Sequence, residues 1–232
     1  MNAPRTARAL ARERLTAEIT DAALRQVAAE GASSLSLRAV TRELGMASSA
    51  IYRYFPSRDD LLTTLIIDSY RALGDAAAAA TEPLPADDHL ARWRAAAHAL
   101  RDWALAHPHQ FHLVYGSPVP GYAAPTDTVE AATHAVGALV RVVGDAERAG
   151  ALDPPTDRPL EEPLSREAAR VAHDLLDDLP AATTVALFQA FGQLIGIVTL
   201  ELNGQLVGSF TPADALWART VDETADRLGL SG

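Results

Sequence analysis

Hydroxyl, phenol and guanidinium groups lie close together shortly before residue 55 of the chain. At about 100° per residue, one side of a helix formed here carries Ser48, Ser49, Tyr52 and Arg53. Serine hydroxyls bond to base edges or phosphates, arginine forks onto guanine, and a phenol reaches a phosphate oxygen. The chemistry that these residue types could carry out is recognition of duplex DNA through its major groove.

A helix-turn-helix is predicted to hold these side chains. The apolar stripe of its first helix has i, i+3 and i+7 spacing and consists of Leu37, Val40 and Leu44. Ser36 stands at the N-cap position and Gly45 at the C-terminal stop of that helix. A second helix follows after about three residues, which is the spacing of a helix-turn-helix. Arg38 and Thr41 lie off the apolar stripe, so we place both on the DNA-facing surface.

The next helix is predicted to begin after Pro56, with Ser57 as its N-cap. Arg58 then lies in the first turn, where the helix dipole disfavours a cation. We therefore expect an outside anion, such as a phosphate, to hold the Arg58 side chain. A corner of this kind also occurs in helical proteins that bind no DNA, so the spacing alone leaves that alternative open.

These motifs resemble the N-terminal DNA-binding domain of the TetR family of transcriptional regulators. The residues that carry the resemblance are Gly31, Ser36-Leu37-Arg38-Ala39-Val40, Leu44-Gly45, Ile51-Tyr52-Arg53-Tyr54-Phe55, Ser57-Arg58 and Leu61-Leu62. The likeness covers about residues 10 to 65 without a gap. Such a long ordered pattern is more specific than a bare helix-turn-helix.

The resemblance assigns roles to individual side chains. By that resemblance, phosphates are contacted by Tyr52, Tyr54 and Arg58. The residues nearest the bases are Ser48, Ser49 and Arg53. Ala47 departs from the family pattern, which has Ser or Thr there, so Ser48 is expected to cap the recognition helix instead.

Charge is divided unevenly along the 232-residue chain. Residues 1–58 contain nine Arg against five acidic residues, a net charge of +4. The remainder contains 11 Arg against 25 acidic residues, a net charge of -14, which together with the +4 accounts for the total of -10. A basic N-terminal region followed by an acidic remainder is expected where only the N-terminal region contacts DNA phosphates.

The composition also bears on compartment and membrane. The chain has no cysteine, which excludes disulfides, thiolate metal sites and a cysteine nucleophile, and fits a reducing compartment. The N-terminal residues lack the apolar core of a signal peptide. The longest apolar segment, residues 188–202, is interrupted by Gln189, Gln193 and Glu201, and at about fifteen residues it is shorter than the roughly 20 that span a bilayer. We expect a cytoplasmic protein with no membrane partner.

Hydrophobic periodicity predicts an all-α chain. The expected helices span about 8–30, 37–44, 48–55, 58–80, 87–106, 108–115, 126–149, 164–178, 181–207 and 212–228. The first three make a three-helix helix-turn-helix domain over residues 1–57, and residues 58–232 make a larger helical domain for ligand binding and dimerisation. Residues 2–8 are expected to form a loose arm and 150–163 a disordered loop.

Aromatic and histidine side chains concentrate near a predicted helix break at His107 and Pro108. Such a place in a helical body suits an apolar ligand pocket, although each side chain could equally be plain core. The candidate lining residues are Trp93, Trp103, Phe111, His112, Tyr115 and Phe188.

The three histidines of this segment, His107, His109 and His112, also suggest a metal site. No fourth ligand and no His-Glu-x-x-His pattern accompanies them, so no metal or cofactor is expected. No Gly-x-Ser-x-Gly elbow or Gly-rich phosphate loop indicates catalysis. A helical enzyme or His-based metalloprotein that uses residues 103–115 is the alternative function.

Part of the body is similar to one TetR subgroup, which is named for a Trp-His-Gly motif. The likeness rests on the His-Pro break in residues 103–116 and on the segment 200–204. Where the naming motif aligns, the chain has Phe191, Ile195 and Gly196, so only the glycine is kept and no ligand is carried over.

Two glycines suggest how two copies associate. Gly192 and Gly196 lie in the predicted helix 181–207, where each costs roughly 1 kcal/mol relative to alanine. Their spacing indicates a close helix approach, and we assign this helix and the helix 212–228 to a two-fold dimer interface. An intramolecular crossing is the alternative. A symmetric dimer would present two recognition helices about 34 to 36 Å apart and would read a palindrome.

The sequence thus predicts a homodimeric repressor, not an enzyme, that a small apolar ligand releases from a palindromic operator on double-stranded DNA. An activator, a regulator without a ligand, and a protein-interaction module that no longer binds DNA are alternatives.

Overall fold

The structure, a computed structural model, describes residues 6–153, 159–176 and 178–230. The regular elements of this part are α1 (Ala7–Glu30), α2 (Leu37–Glu43), α3 (Arg58–Thr81), α4 (His89–Ala106), α5 (Pro108–Tyr115), α6 (Asp127–Arg148), α7 (Leu164–Leu175), α8 (Ala181–Leu202) and α9 (Asp214–Leu228), with short 3-10 turns at Ala32–Ser34 and Ile51–Arg53. Every regular element among the described residues is helical, which confirms the predicted fold class. Residues 2–5 of the predicted arm and 154–158 of the predicted loop lie outside the described residues.

The described chain divides into two compact units. One unit holds the described residues up to Ser69 together with His107–Glu130. The other holds Tyr70–Ala106 and the described residues from Ala131 onward. Helix α3 therefore contributes its first half to one unit and its second half to the other. The predicted domain boundary after residue 57 stays a prediction.

The core of the first unit joins the apolar stripes of α1, α2 and the start of α3. Its fully or almost fully buried side chains are Ile19, Ala23, Val27, Leu37, Val40, Ile51, Phe55, Leu61 and Leu62. Leu37 and Val40 belong to the stripe that the i, i+3 and i+7 spacing predicted. Leu44, which the same spacing included, is only half-buried. Gly31 ends α1 at φ 81°, a backbone conformation that favours glycine.

Helices α8 and α9 pack against each other and against α4 in the second unit. Trp93 of α4 and Trp217 of α9 are fully buried there. The Trp93 indole N–H lies 3.3 Å from both the Val221 carbonyl and the Thr224 hydroxyl, so its polar atom is satisfied inside the protein. This arrangement explains why the large, partly polar tryptophan can be buried completely.

The second half of α3 approaches α6 very closely at Gly74. A Cβ atom added at Gly74 would lie 2.5 Å from the carbonyl oxygen of His134. His134 in turn contacts Asp75 through a 2.8 Å hydrogen bond. The absence of a side chain at Gly74 is therefore what allows these two helices of the second unit to touch.

The end of α8 differs from prediction. The helix predicted to run to residue 207 ends at Leu202, because Asn203 and Gly204, with φ 69° at the glycine, turn the chain there.

Helix α8 is 22 residues long, so the prediction that this apolar segment is too short to span a bilayer is wrong. By length and composition it could cross a membrane, a test that core helices of soluble proteins also pass.

Candidate nucleic-acid interface

The link between α1 and α2 is held by a buried glutamine. Gln26 on the inner side of α1 donates from Nε2 to the Ser34 carbonyl at 3.1 Å. Its Oε1 accepts the backbone N–H of Ser36, also at 3.1 Å. Ser36 does occupy the N-cap position, as predicted, but its side chain makes no capping hydrogen bond. Sequence reasoning missed Gln26, whose only signal is a polar residue beside the apolar stripe of α1.

The recognition element is a compact turn, not the full helix predicted over residues 48–55. Only Ile51–Arg53 is regular, as a 3-10 turn. The Ala47 carbonyl accepts the Ala50 N–H at 2.8 Å, and the Ile51 carbonyl accepts the Phe55 N–H at 2.9 Å. Ala47 has no side-chain oxygen to cap a helix, and no side chain caps this 3-10 turn. The prediction of a regular recognition helix is therefore wrong in length, although its position is right.

The turn exposes the predicted base-contacting side chains. Ile51 and Phe55 are buried, as the helical wheel requires. Exposed side chains of the recognition surface are Arg38, Ser48, Ser49, Tyr52 and Arg53. Tyr52 has 50% of its surface accessible. The surface therefore offers two hydroxyls, a phenol and two guanidinium groups to a partner.

Thr41 does not belong to this surface. Its side chain is 1% exposed, and its hydroxyl donates to the Arg38 carbonyl at 3.0 Å. The prediction that placed Thr41 among the DNA contacts assumed that every position off the apolar stripe is exposed. Thr41 is not off that stripe, because it follows Leu37 by four residues and shares the buried face of α2 with Leu37 and Val40.

Arg12 adds a cation that the sequence reasoning did not assign. Its guanidinium lies 5.3 Å from the centre of the Tyr54 ring and donates to the Arg53 carbonyl at 3.4 Å. Tyr54 itself is half-buried. Arg8 precedes Arg12 by one helical turn on α1. That i, i+4 repeat of arginines is the signal that could have located this edge of the surface.

The start of α3 has the predicted N-cap, Ser57, and a set of Arg58 hydrogen bonds that the sequence did not predict. The Ser57 hydroxyl accepts the Asp60 N–H at 3.1 Å and donates to the Asp60 carboxylate at 2.7 Å, which confirms Ser57 as the N-cap. Arg58 donates to the backbone carbonyls of Leu35 and Ala32, each at 3.0 Å. An outside anion is therefore not needed to explain Arg58 at this position, because backbone oxygens of the same unit hold its side chain.

The predicted pocket residues are divided between the two units. Trp93, Trp103 and Phe188 belong to the second unit, whereas Phe111, His112 and Tyr115 lie on α5 in the first. Trp93 and Phe111 are fully buried in their own units, and Phe188 is 54% exposed on α8. The ligand pocket lined by these side chains stays a prediction.

The three rings of α5 form a local cluster. The Phe111 ring centre lies 6.1 Å from that of His112 and 5.2 Å from that of Tyr115. His112 and Tyr115 are half-buried, in contrast to Phe111. Among the described residues, no group of three or more histidine or acidic side chains is arranged to hold a metal ion.

Two family models match the chain. One, described as bacterial regulatory proteins of the tetR family, matches residues 19–65. The other, described as the tetracyclin repressor-like C-terminal domain, matches residues 93–224. Together they cover the recognition surface and most of the second unit.

Curated relatives and solved structures agree with these matches. The HTH-type transcriptional regulators Rv1816 of Mycobacterium tuberculosis and Mb1846 of Mycobacterium bovis are each 38% identical over 196 residues, covering 84% of this chain and 83% of theirs. The crystal structure of the regulatory protein SCO4313 has 31% identity and a TM-score of 0.74, covering 96% of this chain and 98% of that one. A protein of unknown function from Rhodococcus sp. RHA1 has 28% identity and a TM-score of 0.70, covering 93% of this chain and 95% of that one.

Proposed function

Because the chain belongs to the TetR family of transcriptional regulators, we propose that it is a cytoplasmic homodimeric repressor, which a small apolar ligand releases from a palindromic operator. The exposed polar turn after α2 carries this proposal. The proposed DNA contacts are Arg38, Ser48, Ser49, Tyr52, Arg53 and Tyr54, with Ser48, Ser49 and Arg53 nearest the bases. Thr41 is left out because it is buried, and Arg58 because backbone carbonyls already hold it.

A second copy of the chain is the proposed partner of α8. Phe188 and Leu200 of this helix are 54% and 38% exposed, which leaves a large apolar face uncovered. A Cβ atom added at Gly192 or Gly196 would meet no atom within 4 Å in the described part of one chain. The alternative of an intramolecular crossing at these glycines thus loses support. Helix α9 packs beside α8, so the two helices together offer a surface for a two-fold dimer.

The effector is proposed to bind beside α5, where His112 and Tyr115 are only half-buried. Aromatic surface with a polar ring nitrogen and a hydroxyl suits an apolar ligand that has a few polar anchors. The Trp-His-Gly subgroup adds no ligand, because Phe191 and Ile195 replace its tryptophan and histidine.

Release would follow from a shift between two populations of the dimer. A ligand that binds one population more tightly favours a separation of the two recognition turns that no longer matches successive major grooves. Helix α3 contributes to both units and is proposed to carry the change.

Selection of bound duplexes from a random-sequence library tests the operator proposal. A dimer should enrich a palindrome whose half-sites lie one helical turn apart, about 34 to 36 Å. Enrichment of a single unrepeated motif, bound by one chain, would contradict the dimeric mode.

Transcription in vitro from a template carrying the selected site then tests repression. Adding the protein should lower transcript yield, and a set of apolar compounds should restore it. A rise in yield would favour the activator alternative.

A further inference from the structure

The side chain of Arg58 is occupied inside the first unit. Its Nε donates to the Leu35 carbonyl at 3.0 Å, and its Nη2 donates to Ala32 at 3.0 Å and to Ser33 at 3.3 Å. Its Nη1 donates to the Asp59 carboxylate at 3.2 Å. A guanidinium group has five N–H donors, so at most one is left for a partner outside the protein.

The carbonyls that Arg58 holds belong to the link between α1 and α2. The Ser34 carbonyl, which Arg58 does not take, accepts from Gln26 at 3.1 Å. Each carbonyl from Ala32 to Leu35 therefore accepts a hydrogen bond from a side chain. The Leu35 side chain is buried, and α2 begins shortly after it. Arg58 thus connects the first turn of α3 to the point where α2 starts.

These contacts also explain why a cation stands at the start of α3. The N-terminus of a helix is electropositive and disfavours arginine. Carbonyl oxygens carry partial negative charge, and Asp59 adds a full negative charge next to the guanidinium. The position of Arg58 therefore needs no phosphate to account for it.

We propose that Arg58 is a positioning residue: it holds the α1–α2 link so that the turn Ile51–Arg53 is presented to DNA, and it does not itself bind phosphate. This inference rests on the proposed function as a DNA-binding regulator. Lysine cannot take this role, because an ammonium group cannot span several carbonyls as a planar fork does. A phosphate contact, in contrast, would accept lysine as a point charge.

The variants Arg58→Lys and Arg58→Met separate the two roles. Binding to a fluorescein-labelled duplex of mixed sequence is measured over a range of salt concentrations, and amide hydrogen exchange is measured on the same proteins. Both variants should bind DNA about tenfold more weakly at one salt concentration. The slope of log K against log salt should equal that of the unsubstituted protein. Amides 35–40 should exchange faster, while those of α9 should not change.

Arg25→Met is the matched control, because it removes the same charge from an exposed ion pair that also joins α1 to α2. It should leave the exchange of amides 35–40 unchanged. If Arg58→Lys binds like the unsubstituted protein and Arg58→Met lowers the slope by about 0.9, Arg58 contacts a phosphate and the proposal is overturned. Unchanged exchange in both Arg58 variants overturns it as well.

Circular dichroism establishes whether each variant folds. If Arg58→Met does not fold, Arg58→Lys alone decides between the two roles. The positioning role predicts weaker DNA binding by Arg58→Lys, whereas a phosphate contact predicts unchanged DNA binding. Should the unsubstituted protein show no salt-dependent DNA binding, the proposed function fails. Hydrogen exchange then still decides whether Arg58 holds the α1–α2 link.

Discussion

Arg53 and Arg58 are close in sequence but meet different surroundings. Arg53 is exposed on the recognition turn and offers its guanidinium outward. Arg58 has 29% of its side chain exposed and is held by backbone oxygens. Their residue type is the same, so the difference in role comes from which oxygen atoms the fold brings within reach. The proposed roles are base reading for the first arginine and positioning for the second.

A comparison of two substitutions tests the recognition surface. Arg53→Ala should change the preferred operator, since a bidentate contact to guanine discriminates by about 1 to 3 kcal/mol. Tyr52→Phe should weaken binding to all sequences about equally, since it removes only a phosphate contact. Competition between selected and mixed-sequence duplexes measures both effects.

The control for that comparison is Arg14→Ala, because Arg14 is an exposed arginine of α1 already paired with Glu18. It should leave operator preference unaltered. If Arg53→Ala keeps the preference of the unsubstituted protein, the base-reading face has been assigned to the wrong residues.

At the scale of elements, one buried arginine joins three helices of the second unit. Arg101 of α4 donates to both carboxylate oxygens of Glu201 on α8, at 2.7 and 2.8 Å, and to Asp214 on α9 at 2.9 Å. Its guanidinium also lies 5.8 Å from the centre of the Trp217 ring. The hydrogen bond to Glu201 is the main cause that raises the pKa of Arg101, so this charge is permanent. Arg101 therefore ties the end of α8 to the start of α9.

Removing this arginine should be costly. Arg101→Leu should lower the free energy of unfolding by about 3 kcal/mol, because it leaves the largely buried Glu201 without its partner. The double substitution Arg101→Leu with Glu201→Leu should recover most of that loss. Urea denaturation measures all three proteins.

Helices α4 and α9 also supply a control ion pair for the Arg101 experiment. Arg94 and Asp222 also join α4 to α9, but both side chains are about half exposed, at 46% and 47%. Arg94→Leu should therefore cost no more than about 1 kcal/mol. If Arg101→Leu lowers the free energy of unfolding as little as Arg94→Leu does, burial does not make the Arg101 ion pairs more stabilising than exposed ones.

At the scale of the whole molecule, the apolar face of α8 should set the oligomeric state. Phe188→Arg places a charge in the proposed interface and should shift the protein to monomers, since an unpaired charge is expensive to bury. Leu105→Arg is the control, because Leu105 is a similarly exposed apolar residue, at 40%, on α4. Sedimentation velocity measures the mass of each variant.

The affinity of the same variants for the operator gives a second test. The monomeric Phe188→Arg protein should lose affinity for the palindrome, because a second half-site no longer adds to binding. If Phe188→Arg stays dimeric while keeping its fold, the partner of α8 is not a second copy.

The helices and most of the first-unit core could be predicted from the sequence alone. Local signals determined them: apolar residues at helical spacing, Gly45 as a stop, and Ser57 as a cap. The positive φ of Gly45 and the two hydrogen bonds of Ser57 confirm those predictions. Each such signal acts within about one helical turn, so neighbouring residues suffice to identify it.

Only the tertiary structure decided which polar side chains face outward. Arg58 is held by carbonyls more than twenty positions earlier, and Arg12 reaches Tyr54 across a much longer separation. Hydrogen bonds between distant positions leave no periodic trace, since any polar residue type is compatible with several partners. Periodicity identifies the apolar side of each helix, but the partner of each polar group depends on how the helices pack.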